Sequence, residues 1–121
     1  MADSLIENQF YQHGLIARVI ENYNKLSADR KTKFTVESRL QLLETYWAKF
    51  ETNHERLLDL VTGEDRKKKD YFKQDLYQTC VEDYLQAKSD LLAIHNNFVT
   101  IEEQSTAERR QSRNVETTSG G

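Results

Sequence analysis

The chain has 121 residues, enough for one domain, and it contains no proline and only four glycines. Because 37% of the residues are hydrophobic and 31% are charged, in periodic patterns, the composition argues against wholesale disorder but predicts a thin core. The net charge of −3 argues against a dedicated DNA-binding domain, which would be strongly basic. With so few helix breakers, the composition favours long helices packed side by side, or a partner chain that completes the core.

Cysteine content and the N-terminus favour a reduced compartment. Cys80 is the only cysteine, so no intramolecular disulfide can form. Residues Met1–Ser4 do not begin a basic segment followed by an apolar run, as a signal peptide would. No apolar stretch approaches the roughly 20 residues that a membrane-spanning helix needs. We therefore expect a cytoplasmic protein.

The first predicted helix spans about residues 4–29. Ser4 and Glu7 fit a capping box, in which each side chain satisfies a backbone N–H of the first turn. Gly14 weakens the middle of this helix by roughly 1 kcal/mol relative to alanine, which allows a bend there. The later half carries apolar residues on one face: Ile16, Val19, Ile20, Tyr23 and Leu26.

The second predicted helix, residues 35–61, has the strongest pattern in the chain, and Thr35 is its predicted N-cap. Its seam residues recur at steps of 4, 3, 4, 3, 4, 3 and 4, which is the heptad repeat of a coiled coil. They are Val36, Leu40, Leu43, Trp47, Phe50, His54, Leu57 and Val61.

The third predicted helix spans about residues 66–104. Gly63 is expected to adopt the left-handed conformation past the end of the second helix. The apolar stripe then continues through Phe72, Leu76, Cys80, Tyr84, Ala87, Leu91, Ile94, Phe98 and Ile101. The short connection at Gly63 predicts that the second and third helices are antiparallel neighbours.

The predicted fold is therefore all-α: a long, coiled-coil-like antiparallel hairpin plus an N-terminal helix. Residues 1–104 form the helical domain. From Ser105 apolar residues nearly vanish, so residues 105–121 are predicted to be a disordered tail or a linker.

Two sets of apolar residues follow from this arrangement. The predicted core of the hairpin consists of Leu40, Leu43, Trp47, Phe50, Leu57, Tyr84, Leu91, Ile94 and Phe98. A single short helix can cover only part of the hairpin, and exposed apolar patches favour a symmetric dimer. The predicted oligomer interface is Leu42, Tyr46, Leu58, Tyr77 and Leu85. We expect a homodimer or a larger assembly, with a self-contained three-helix bundle as the alternative.

The sequence offers little for catalysis. His13, His54 and His95 are far apart and lack a second metal ligand at helical spacing, so packed histidines are favoured over a metal site, and a pH-sensitive interface at His54 is the minority interpretation. Cys80 lies on an apolar face without a neighbouring cysteine, which favours a buried thiol over a nucleophile. We predict no enzyme activity, no cofactor, no metal and no small-molecule substrate.

Two basic clusters are candidates for contact with anions. The first cluster, at the start of the third predicted helix, is Arg66, Lys67, Lys68 and Lys69, and the second, in the predicted tail, is Arg109, Arg110 and Arg113. RNA or an anionic membrane could bind such clusters. A solvated surface is the favoured interpretation, because Asp65, Asp70 and Asp75 dilute the first cluster.

Four segments carry a resemblance to a known family: residues 39–50 (RLQLLETYWAKF), 54–57 (HERL), 71–72 (YF) and 81–88 (VEDYLQAK). Together they resemble the N-terminal helical region of Gag-type polyproteins of insect BEL/Pao-like retrotransposons, or a host gene derived from one. The resemblance covers a little under half of the chain, and its motifs are packing patterns. It implies a structural polyprotein that self-assembles around RNA, with no active site in this region.

We therefore expect a protein–protein association module that assembles with itself in a Gag-like manner. The alternatives are a cellular coiled-coil adaptor that docks another helical protein, and a helical module that binds RNA or a membrane surface.

Overall fold

The computed structural model describes the backbone of residues 1–119 and the side chains of residues 1–110. The all-α prediction is confirmed, since these residues form helices, turns and loops and no strand. The helices are α1 (Ala2–Ala17), α2 (Val19–Asn24), α3 (Lys33–Leu60), α4 (Asp70–Lys73) and α5 (Leu76–Ser119), with short 3-10 turns at Ala28–Arg30 and Gly63–Lys68.

Helices α1, α3 and α5 pack against one another as a three-helix bundle. Trp47 of α3 stacks on Tyr84 of α5, and His54, further along α3, stacks on Tyr77, which comes earlier in α5. The two long helices are therefore antiparallel. Lys69, just before α4, pairs with Asp3 at 2.8 Å, so α1 begins at the same end of the bundle as α5.

The core runs along the line where the three helices meet. The seam positions of α3 fill its centre, and a stripe of α5 closes it. The buried apolar residues are Ile16, Val19, Tyr23, Val36, Leu43, Phe50, Leu57, Val61, Tyr71, Leu76, Cys80, Tyr84, Ala87 and Leu91. Because α1 and α2 supply Ile16, Val19 and Tyr23, the first helical region completes a core that the hairpin alone would leave open.

The first helical region differs from the prediction at both ends and in the middle. Helix α1 begins at Ala2 with Met1 as its N-cap, so the Ser4–Glu7 capping box is not used. The helix breaks at Arg18 rather than at Gly14, and Arg18 Nε donates to the Gly14 carbonyl at 3.0 Å. The glycine leaves room for this contact, since a Cβ on Gly14 would lie 2.9 Å from Arg18 Nη2. Helix α2 ends at Asn24, five residues before the predicted end at Asp29.

The N-cap of α3 is Thr32 rather than the predicted Thr35. The Thr32 hydroxyl accepts a hydrogen bond from the backbone N–H of Thr35 at 3.2 Å, which satisfies one of the free donors of the first turn. The Thr35 hydroxyl instead donates to the Arg30 carbonyl at 2.6 Å. The helix then ends at Leu60, one residue before the predicted end.

The connection between the long helices contains more structure than predicted. Gly63 has φ +57°, which confirms the predicted left-handed conformation. Helix α5 begins at Leu76 instead of residue 66, because a 3-10 turn and α4 come first. Between α4 and α5, Asp75 adopts a left-handed conformation with φ +50°. Aspartate tolerates this conformation better than most residues. Helix α4 thereby inserts Tyr71, which is 1% exposed, into the core.

Helix α5 continues to Ser119, so the prediction of a disordered tail from Ser105 is wrong as far as that residue. Residues 102–119 contain neither glycine nor proline, and glutamate, glutamine, arginine and alanine are good helix formers. Gly120 and Gly121, the end of the predicted tail, lie outside the described residues. We call residues 103–119, which follow the last contact with α3, the overhang.

Candidate functional site

The predicted hairpin core lies where α3 and α5 meet. Leu43, Phe50, Leu57, Tyr84 and Leu91 are buried. The other four predicted core residues are half-buried and pack against that core: Leu40, Trp47, Ile94 and Phe98.

Trp47 belongs to a row of rings on the flank of the hairpin that we call the aromatic stack, formed by His54, Tyr77, Trp47 and Tyr84. The centroids of Trp47 and Tyr84 are 4.5 Å apart, and those of His54 and Tyr77 are 4.0 Å apart, both nearly parallel. Trp47 and Tyr77, with centroids 6.1 Å apart, join the two pairs. Because Trp47 lies in this row, it is only half-buried, while Phe50 beneath it is fully buried.

One end of the aromatic stack is joined to a chain of hydrogen bonds that we call the polar relay, formed by Gln9, Tyr71 and His54. Gln9 Nε2 donates to the Phe50 carbonyl at 2.9 Å and to the Tyr71 hydroxyl at 3.1 Å. The Phe50 carbonyl can only accept, so it fixes the orientation of the Gln9 amide. The Tyr71 hydroxyl proton is then free for His54 Nδ1, 2.6 Å away. This direction requires a neutral His54 that carries its proton on Nε2.

The ionisation of the buried groups agrees with a packing role. Burial lowers the pKa of His54, and the Arg66 guanidinium lowers it further. Burial raises the pKa of Tyr71 to about 12 and that of the Cys80 thiol to about 12. Since the thiolate is the reactive form of cysteine, a thiol with this pKa is poorly suited to be a nucleophile at neutral pH.

The other end of the aromatic stack reaches a charged cluster. The Tyr84 hydroxyl donates to the Glu44 carboxylate at 2.7 Å, and Lys88 Nζ lies 3.1 Å from the same carboxylate. Burial and the Glu44 carboxylate both raise the pKa of Tyr84. The cluster ties α3 to α5 at the surface and covers the edge of the aromatic stack.

The first basic cluster is largely engaged within the chain. Arg66 donates to the carbonyls of Val61 and Leu58 at 2.7 and 2.9 Å, and so satisfies free acceptors at the end of α3. Lys67 pairs with Glu64 and Lys69 pairs with Asp3. Lys68, the fourth predicted anion contact, is exposed.

The residues predicted for an oligomer interface differ in their exposure. Leu42, Tyr46 and Tyr77 are half-buried. Tyr46 and Tyr77 pack against the core. Leu58 and Leu85 are 37% and 53% exposed. The structure therefore leaves Leu85 as the most exposed of the predicted interface residues.

Leu85 belongs to a surface that we call the outer stripe of α5, formed by Leu85, Leu92 and Val99, and it is the only one of the three that was predicted as an interface residue. These residues are spaced by seven, so they lie on one side of the helix. Leu92 is 47% exposed and Val99 is half-buried. Glu103 and Arg110 follow Val99 by four and eleven residues, so they extend the same side of the helix into the overhang.

Several half-buried polar contacts between helices were also missed, because single polar residues within helices carry no periodic signal. Asn53 Nδ2 donates to Asn8 Oδ1 at 2.8 Å, and His13 Nε2 lies 2.6 Å from Asp83 Oδ2. His95 Nε2 lies 3.5 Å from Glu37 Oε1. These contacts join α1 to both long helices and α5 to α3.

Compared with known proteins, the chain matches no family description, no curated protein and no solved structure. Within residues 1–110, whose side chains are described, no group of three or more His, Cys, Asp or Glu side chains is arranged to hold a metal ion. Across the described helices, none is both long enough and apolar enough to cross a membrane.

Proposed function

We propose that this chain is a structural protein–protein association module that assembles with copies of itself. The observation that supports the proposal best is the outer stripe of α5, in which Leu85 and Leu92 are about half exposed on a single face. Exposed apolar residues scattered singly are common, but an aligned row on one helix is typical of a contact between helices. The same helix continues as the overhang for roughly 25 Å past the bundle.

The Gag-like form of this proposal depends on the sequence resemblance of residues 39–88 alone. Leu43, Trp47 and Tyr84, which contribute to that resemblance, pack in or against the core of the bundle. Any long helical hairpin needs apolar residues at such positions, so these residues do not distinguish a Gag region from another hairpin. Self-association is therefore the central proposal, and a Gag-type origin is the more specific one.

Removing the apolar character of the outer stripe tests the proposal. We expect the wild-type mass in sedimentation or light scattering to rise with concentration. The double variant Leu85→Glu/Leu92→Glu should weaken association more than about tenfold, because it places unpaired charges in an apolar contact. The matched control is Tyr11→Glu, since Tyr11 is 60% exposed but belongs to α1, which contacts α5 at Asp83 on the side away from the outer stripe. The control should associate as the wild type does.

A different result would point to one of the alternatives. A wild-type chain that stays monomeric into roughly the hundreds of micromolar would contradict self-assembly and favour an adaptor that docks another helical protein. Equal loss in the control would mean that general hydrophobicity drives association. Binding to RNA or anionic membranes is less favoured, because Arg66 and Lys69 already have partners within the chain.

A further inference from the structure

We propose that two copies pair through the outer stripe of α5 in an antiparallel direction, with Leu92 of each copy against Val99 of the other. The inference rests on the proposed self-association and adds to it a surface, a direction and a register. It is carried by three features of α5: its uncovered flank, the overhang that continues this flank, and the charges at its two ends.

The flank of α5 that bears the outer stripe is free of α1. His13 of α1 contacts α5 at Asp83, on the other side of the helix. On the side of α5 that faces α3, Lys88 pairs with Glu44, and His95 contacts Glu37. The outer stripe lies beyond these two contacts, where neither α1 nor α3 covers Leu85 and Leu92.

The register determines which residues of the two copies face each other at each end of the contact. Four residues after Val99 is Glu103, and four residues before Leu92 is Lys88, so these two face each other between copies. Eleven residues after Val99 is Arg110, and eleven residues before Leu92 is Val81. The overhang of each copy therefore lies along the exposed outer stripe of the other copy.

The bundle supplies an acidic partner at the level that Arg110 reaches. Trp47 stacks on Tyr84 and His54 stacks on Tyr77, so residue numbers rise along α3 as those of the facing residues in α5 fall. Glu51 is therefore level with Val81, and it is exposed. Arg110 of one copy would pair with Glu51 of the other, while Glu103 would approach Lys88, which is 41% exposed.

These charges favour a second copy in the antiparallel direction. In a parallel pair, Glu103 would face Glu103 and Arg110 would face Arg110, and like charges at such positions are destabilising. In the antiparallel pair both contacts join opposite charges. A two-fold axis repeats each contact, so one chain carries both halves of the recognition surface.

Charge reversal tests the pairing of Arg110 with Glu51. Sedimentation velocity over a concentration series would compare the wild type with Arg110→Glu, Glu51→Arg and the double variant Glu51→Arg/Arg110→Glu. Each single reversal turns two symmetry-related attractions into repulsions, so the dimer Kd should rise by about tenfold. The double variant should return to near the wild-type Kd.

The matched control is Glu108→Lys. Glu108 is exposed and lies two residues before Arg110, on a different side of the helix. It should leave the Kd unchanged, and circular dichroism should show the same helix content in all variants. High salt screens these charges, so it should reduce the difference in dimer Kd between the single reversals and the wild type.

A cysteine measurement reports the direction independently. Asn96 is exposed and lies next to the two-fold axis of the antiparallel pair, so Asn96→Cys should form a disulfide-linked dimer under mild oxidation. Leu85→Cys should not link to itself, since Leu85 faces Thr106 of the second copy. Cys80 can stay in place because it is buried.

The outcomes separate the inference from the proposed function. A wild type that dimerises while both single reversals dimerise equally well overturns the pairing but leaves self-association standing. Disulfide formation by Leu85→Cys and not by Asn96→Cys overturns the direction. Single reversals that weaken the dimer without restoration in the double variant overturn the contact between Arg110 and Glu51. A monomeric wild type overturns both the inference and the proposed function.

Discussion

His54 lies where the polar relay and the aromatic stack meet. Its ring stacks on Tyr77, and its Nδ1 accepts from Tyr71, whose hydroxyl in turn accepts from Gln9 of α1. Protonation of His54 would turn Nδ1 into a donor and leave the Tyr71 proton without an acceptor. His54, a heptad position of α3, therefore also helps to hold α1 against the two long helices.

The stability of the fold should depend on pH through His54. Burial and Arg66 lower the pKa of His54, whereas Asp75 and Glu55 oppose the shift. The folded pKa is therefore below the unfolded value of about 6.5. The stabilisation that His54 provides is complete above the unfolded pKa and is lost as the pH falls from there through the folded pKa.

The measurement is the free energy of unfolding from about pH 8 to about pH 5 in the wild type and in His54→Gln, which does not titrate. As the pH falls, the free energy of unfolding of the wild type should decrease relative to that of His54→Gln. The His13–Asp83 and His95–Glu37 contacts are present in both proteins, so they cancel in the comparison. A difference that is independent of pH would contradict the assigned neutral state of His54.

The periodic parts of the helices were predictable, and most of the helix ends were not. The heptad positions of α3 place Leu43 and Phe50 in the core because a repeat of 3.5 residues keeps one face of a helix inward. At the break, the Arg18 side chain folds back onto the Gly14 carbonyl, and just after Tyr71 enters the core Asp75 turns the chain with φ +50°. Both features belong to single side chains, which a periodic apolar pattern does not encode.

Two glycines give predictions of opposite sign for the same substitution. Gly63 has φ +57° and open space around a would-be Cβ, so Gly63→Ala should destabilise through the backbone alone, by about 1 kcal/mol. Gly14 lies within α1, where alanine is favoured by up to about 1 kcal/mol and only the flexible end of Arg18 must move. Gly14→Ala should therefore be neutral or stabilising. Chemical denaturation of both variants would check this, and equal effects would contradict the assigned conformations.

Helix α5 has two parts with different surroundings. Up to Glu102, which pairs with Lys33 at 3.1 Å, it is one wall of the bundle. Beyond that point it has no partner within residues 1–110, where all side chains from Ile101 onward are exposed. The outer stripe could have been found from the sequence by following Leu85, Leu92 and Val99 at steps of seven. The stronger core stripe on the same helix obscured it, because both repeat with the same period.

We expect that residues before and after this point of α5 contribute separately to folding and to association. A chain truncated after Gln104 keeps the core residues and the Lys33–Glu102 pair, so its midpoint of thermal unfolding at low concentration should match that of the full chain. It loses Arg110 without gaining the repulsion that Arg110→Glu introduces, so its dimer should be weaker than the wild-type dimer by up to the roughly tenfold expected of that reversal. Calorimetry and sedimentation on the two chains would measure both properties. A truncated chain with a clearly lower midpoint would show that the overhang stabilises the bundle itself, whereas one that dimerises as tightly as the full chain would remove the overhang from the interface.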